Sequence, residues 1–281
     1  MATRKTTRRG PAPKSATPPL RRASVWLIAT AAVAFSAVSC GDKLASLTTS
    51  SKGAAPQQQV SGVQTQFKDC KHFFAAGKPP TVPQAPLLRE LCYDAFAILH
   101  SGHTKTPVFV AQRLNRAAVA DADEKRTNRF FADARLPSAE RATLDDYKGS
   151  GYARGHMAPA GDMPTAQAMA QSFSLANMVP QNQKQNSGPW SQIEKATRQY
   201  AARAQGDVYV ITGPVFANDA PAIGPGQVRV PSHLFKLVYD SSTGKAWAHW
   251  QPNDETARAT EPISYEALRQ RVGMELLPGL K

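Results

Sequence analysis

The chain has 281 residues, 42% of them hydrophobic, which fits a targeting leader followed by one globular domain of about 200 residues. No apolar run beyond the leader is long enough to span a bilayer as a helix. The formal charge of +13 suggests a polyanionic partner, but seven basic residues precede position 40, where no acidic residue occurs, and removing them leaves about +6. That remainder suits transient contact with a polyanion without identifying one.

Arg4, Lys5, Arg8, Arg9, Lys14, Arg21 and Arg22 form a cationic region ahead of the apolar residues 23–38, a stretch too short and too rich in small residues for a membrane span. The pattern predicts a signal peptide over residues 1–39 and an exported protein, periplasmic, membrane-anchored or extracellular. Cys40 follows Ala37-Val38-Ser39 where a lipoprotein signal places its lipidated cysteine, which predicts a membrane anchor at Cys40. Ala37 is smaller than the aliphatic residue usual at its position, and ordinary cleavage nearby is the alternative. Ser, Thr, Gln, Gly and Ala dominate the next stretch, predicting a flexible tether over residues 40–66 and a folded domain over 67–281. With Cys40 lipidated or removed, Cys70 and Cys92 are an even pair in an oxidising compartment, which predicts a disulfide. Two buried thiols are the alternative.

Residues 87–99 have helical apolar spacing, and residues 107–111 read as a short buried strand. Residues 126–148 are charged and proline-punctuated, predicting loop and short helix. Gly149-Ser150-Gly151 is a turn leading into a strand over 152–157, followed by a short helix over 165–172 and an alternating strand over 173–179. Ser187-Gly188-Pro189 starts a helix running to about residue 204. Strands over 208–212, 228–239 and 246–251 precede a last helix over 264–271. The architecture is α+β, a mainly antiparallel central sheet with flanking helices and a strand–strand–helix insert.

His156 is the centre of the chemistry, because a neutral imidazole is the natural base for deprotonating water near pH 7. Arg154 presents a planar fork suited to phosphate, and strand alternation puts it on the same face as His156. No carboxylate cluster accompanies this histidine. Asn186 precedes the Pro189 helix, and Glu194 leans back toward the helix start, where a hard cation that keeps most of its waters needs only one direct oxygen ligand. Arg198, four residues on, is placed to bind a phosphate or to pair with Glu194.

Ala153-Arg154-Gly155-His156, Asn177-Met178-Val179-Pro180-Gln181 and Asn186-Ser187-Gly188-Pro189-Trp190 running to Glu194 together resemble the DNA/RNA non-specific endonuclease family, the ββα-metal (His-Me finger) nucleases. That family's signature is Asp-Arg-Gly-His, then Asn-x-x-Pro-Gln, then Asn-x-Gly-x-Trp and a helical Glu. The intervals agree too: 21 residues from His156 to Asn177, nine more to Asn186, eight more to Glu194. The resemblance implies His156 as general base, Asn186 as direct ligand of Mg²⁺ (or Mn²⁺) and Glu194 holding the ion through water. Arg154 and Arg198 would contact phosphate, Asn177 would organise the site, and the substrates would be DNA and RNA with little sequence preference. A homodimer is compatible with it. Ala153 stands where the family has Asp, on the strand face away from His156, so its absence should lower activity rather than abolish it.

The other histidines lack such support. His100 and His103 flank Gly102 as structural or exposed turn residues, His72, His233 and His249 read as packing or surface residues, and the run from Pro231 to Lys236 is assigned no chemistry. A tethered nucleic-acid receptor with a decayed site, and a different hydrolase using His156 on a phosphoester or cell-wall substrate, are the competing readings.

Overall fold

The computed structural model describes residues 62–280. The signal peptide, Cys40 and most of the tether lie outside the described residues. Strand β1 (Gly62–Gln64) pairs with β2 (Thr81–Pro83), so the fold begins ahead of Phe67, within the stretch read as tether.

The chain then continues through β3 (Leu88–Cys92), β4 (Ala97–Ser101), β5 (Thr106–Leu114), α1 (Arg116–Ala120) and α2 (Leu144–Tyr147). Next come β6 (Ala153–His156), α3 (Ala166–Ser172), β7 (Met178–Gln181), α4 (Gln183–Gln185) and α5 (Ser191–Ala201). It ends with β8 (Val208–Val215), β9 (Ala222–Ile223), β10 (Val228–Arg229), β11 (His233–Asp240), β12 (Lys245–Pro252), β13 (Ile263–Ser264) and α6 (Tyr265–Val272). Seven strands form one sheet in the order β13-β12-β11-β8-β5-β4-β3, every neighbour antiparallel. The α+β expectation holds. Among the described residues no helix is long and apolar enough to cross a membrane.

Because strand side chains alternate, the central strands feed two cores. Phe109, Phe235 and Leu237 face one side, packed on Phe67, Phe74, Leu268 and Leu276. Ile98, Val110 and Leu234 face the other, where Met157, Phe173, Trp190 and Ile193 cover them. This second core fixes the insert to the sheet.

Residues 87–99 are not a helix. They fold as the β3–β4 hairpin, closed by the Tyr93 N–H donating to the Phe96 carbonyl at 2.9 Å. Leu91 and Ile98 feed the second core and Leu99 the first, so apolar residues fall on both faces and mimic helical spacing. The run 228–239 is interrupted at Pro231, which has no N–H for a ladder, and becomes β10 and β11. The run 173–179 opens with a 3-10 turn over Leu175–Asn177, capped by the Ser174 hydroxyl, before β7 begins. Helices α3 and α6 start on Thr165 and Ser264 caps, and α6 stops at Gly273 with φ of 63°. The long helix starts earlier than Pro189. It begins at α4 and widens into a π-type turn over Asn186–Trp190, where Gly188 leaves helical geometry and Pro189 brings no N–H, before α5 continues.

Cys70 and Cys92 are disulfide-bonded, tying the first 3-10 turn (Lys71–Phe73) to strand β3 at the sheet edge. Replacing both by Ala should lower stability by roughly 3 kcal/mol, measured by urea denaturation, because the open chain regains loop entropy on unfolding.

Candidate active site

Strands β6 and β7 pair antiparallel, with His156 opposite Met178 and Ala153 opposite Gln181. The turn carrying Asn186 and helix α5 follow directly. The insert is therefore the strand–strand–helix unit expected, and its pairing is tight: a Cβ on Gly155 would stand 1.8 Å from the Gln181 side-chain oxygen. Gln181 in turn donates to the Gln185 side chain at 2.5 Å, linking the strand pair to the residue before Asn186.

Arg154 and His156 share a face, as alternation requires, and both meet Phe130. The Arg154 guanidinium lies 4.2 Å above the Phe130 ring, while the His156 ring is 5.9 Å from Phe130 and edge-on to Phe173 at 5.1 Å. Arg154 is exposed; His156 is 8% exposed, and its Nε2 is buried with no hydrogen-bond partner. Burial, aided by the nearby Arg126 charge, pushes the imidazole pKa down from 6.5 to about 3, so the ring is neutral.

Asn177 touches the chain beside His156 rather than the ring. Its amide donates to the Ala158 and Ser172 carbonyls and accepts from the Ala158 N–H, each at 2.9 Å, and its carbonyl accepts from the Met157 N–H at 3.0 Å. Ala153 is half-buried at the start of β6, on the alternate face from Arg154.

Asn186 and Glu194 lie on the helical stretch that closes the insert, both partly accessible, with no hydrogen bond between them among the described residues. Burial raises the Glu194 pKa to about 7, against the opposing charges of Lys236 and Arg198. An amide oxygen and a carboxylate are hard donors that fit a hard divalent cation, and a carboxylate that burial makes reluctant to ionise gains from one nearby. Among the described residues no group of three or more His, Cys, Asp or Glu is placed to hold a metal, so a cation here would rest mainly on Asn186 and its own waters. Arg198 does not pair with Glu194. Its Nε donates to Asp162 at 2.7 Å.

Several participants carried no readable sequence signal. Phe130, Phe173 and Arg126 arrive from loops, Arg126 stacking on Phe173 at 5.1 Å. Lys236 is fully buried on β11, donating from Nζ to the Thr212 hydroxyl at 2.7 Å and facing the Trp190 ring at 5.5 Å. A lysine inside the apolar run His233–Asp240 was its one available signal. His100 is buried on β4 against the Glu140 carbonyl at 2.8 Å and is structural, whereas His103 is exposed in the turn. His249, the cross-strand partner of Lys236, is pushed down to about 4 by burial and by that charge.

An antiparallel strand pair closed by a helix, with a histidine on the first strand and an amide and a carboxylate on the helix, defines a ββα-metal finger set on an α+β domain. Residues 80–280 match the family described as DNA/RNA non-specific endonuclease, and the chain belongs to that family. It is 36% identical to mitochondrial nuclease EXOG of Xenopus laevis over 157 residues, 52% of this chain and 44% of that protein. It is 33% identical to human mitochondrial endonuclease G over 165 residues, 55% of this chain and 53% of that protein. The chain thus spans about half the length of these curated relatives. The solved structure of the EndoG/EndoGI complex shares the fold, with a TM-score of 0.61 at 23% identity over 71% of this chain and 89% of that one.

Asn177→Ala would leave one N–H and two carbonyls without partners, and should cost about 2–4 kcal/mol of stability in thermal or urea melts. For His156, unfolding takes up a proton between pH 3 and 6.5, so its contribution is complete above about 6.5 and is lost as pH falls toward 3. His156→Gln should flatten that acid-side loss, read as a smaller stability difference between pH 7 and pH 4 than in the wild type.

Proposed function

We propose that the chain is an exported, sugar-non-specific endonuclease that hydrolyses phosphodiester bonds in DNA and RNA with a divalent cation, Mg²⁺ or Mn²⁺. The carrying observation is the neutral His156 imidazole, enclosed by aromatic rings and sharing its strand face with the exposed Arg154 guanidinium. With Nε2 enclosed, Nδ1 is the nitrogen left to take the proton from an attacking water. Arg154 neutralises the phosphate as charge builds there, its fork braced by Phe130. Arg198 grips a neighbouring phosphate. Asn186 would hold the cation directly and Glu194 through water, and the cation supplies neutralisation of the leaving oxygen. Asn177 keeps residues 157 and 158, and hence His156, in register. Among the described residues no element offers a base-reading helix, so backbone contacts should dominate and binding should weaken steeply with salt.

The basic leader with its largely apolar, uncharged stretch over residues 23–38 supports a secretory signal rather than an amphipathic organelle-targeting segment. The Cys70–Cys92 disulfide supports an oxidising compartment. Lipidation at Cys40 would hold the catalytic domain near a membrane by the tether.

Digestion of plasmid DNA and of RNA, with Mg²⁺ against EDTA, tests the reading. Wild type should cut both substrates only with the metal, and His156→Ala should lose roughly 10²–10⁴-fold in kcat while still binding. Full hydrolysis by His156→Ala would remove the general-base role. Binding without cleavage by the wild type would leave a tethered nucleic-acid receptor whose site has decayed.

A further inference from the structure

Arg198 stands on α5, yet its guanidinium is seated by residues of the turn that follows the histidine strand. Its Nε donates to Asp162 Oδ1 at 2.7 Å, and Asp162 closes the 3-10 turn Ala160–Asp162 that follows β6. The Asp162 side chain is only 5% exposed, and Gln112 of β5 approaches its second oxygen at 3.5 Å. The guanidinium also lies against the backbone of Gly161: a Cβ there would stand 2.7 Å from Nη2 and 3.1 Å from Cζ. The arginine side chain remains 28% exposed, and no acceptor is paired with its Nη atoms among the described residues. The turn itself is immobilised by Ala160 and Met163 in the second core and by the Asn177 bonds to Ala158.

We propose that Asp162 is a positioning residue for substrate phosphate, with Gly161 as the space it requires. The carboxylate takes the Nε side of Arg198, and Gly161 lets the guanidinium lie flat, so that the Nη edge is presented outward at a fixed distance from His156. This rests on the reading of Arg198 as a phosphate contact. A fixed fork matters because bidentate recognition loses its advantage when the fork rotates freely. The partner it fits is the phosphodiester next to the one being cut, so its effect falls on substrate binding more than on the chemical step.

The test measures KM, kcat and the dependence of log KM on log salt for Mg²⁺-driven cleavage of duplex DNA, with melting temperatures alongside. Arg198→Ala sets the reference, with a rise in KM of about tenfold and a salt slope shallower by about 0.9, the loss of one phosphate contact. Asp162→Ala should reproduce both changes, and the Asp162→Ala/Arg198→Ala double variant should add little to either single one. Asp162→Asn retains an oxygen for the Nε–H and should keep the wild-type slope. Gly161→Ala removes no polar group, and the atom it displaces is the end of a flexible side chain, so it should fold normally and still raise KM. An unchanged slope in Arg198→Ala would remove the phosphate reading and this proposal together. A changed slope there, with a wild-type slope in Asp162→Ala and Gly161→Ala, would overturn the positioning role alone. A loss in Asp162→Ala that appears only in melting temperature and kcat would overturn it too, since a purely structural residue leaves the salt slope intact.

Discussion

The Asn177 side chain lies where three stretches of backbone meet, and the rest of the site depends on its bonds. One carboxamide satisfies both the N–H and the carbonyl of Ala158 and the carbonyl of Ser172, so the end of β6, the end of α3 and the start of β7 hold one another in place. All of these groups are buried, where an unpaired amide is costly and a paired one is rigid. His156 sits just before this joint and needs no hydrogen bond of its own to be held, because the packing of Phe130 and Phe173 and the fixed backbone leave its ring one place to go. The same packing keeps it neutral.

Beneath the insert runs a polar row unusual for the inside of a sheet. Thr212, Lys236 and His249 are cross-strand neighbours on β8, β11 and β12, and Gln112 of β5, opposite Val210, lies on the same face two positions from the partner of Thr212. A buried ammonium is tolerable only with compensating negative charge, and Lys236 has Glu194 and Asp162 acting on it. Its own pKa is lowered by burial, which those carboxylates oppose. The sheet is thus both an apolar platform and a source of positive charge under α5, and the helix that carries Asn186, Glu194 and Arg198 is registered against it by Trp190 and Ile193.

Much of this was legible because the signals were local. The Arg154–His156 face follows from strand alternation, the disulfide from the cysteine pair that remains once Cys40 is set aside, and the order of the insert from turn residues and proline. The failures also have a common cause. Residues 87–99 feed both cores as a hairpin, and a segment with apolar side chains on both faces loses the period that separates strand from helix. The widened turn at Asn186 was hidden because Gly188 and Pro189 resemble an ordinary helix start, while α4 had already begun one.

Within the described residues, the sequence by itself determined the α+β class, the strand–strand–helix insert and the residue types that define the family, since these rest on spacing along the chain. Only the tertiary structure decided which side chains meet. That Arg198 pairs with Asp162 and not with Glu194, that Phe130 and Phe173 enclose His156, and that Lys236 lies buried against Trp190 are contacts between residues 17 to 46 positions apart. No local propensity encodes them. They follow from burying two faces of one sheet at once, which brings distant polar groups into a space where each must find a partner.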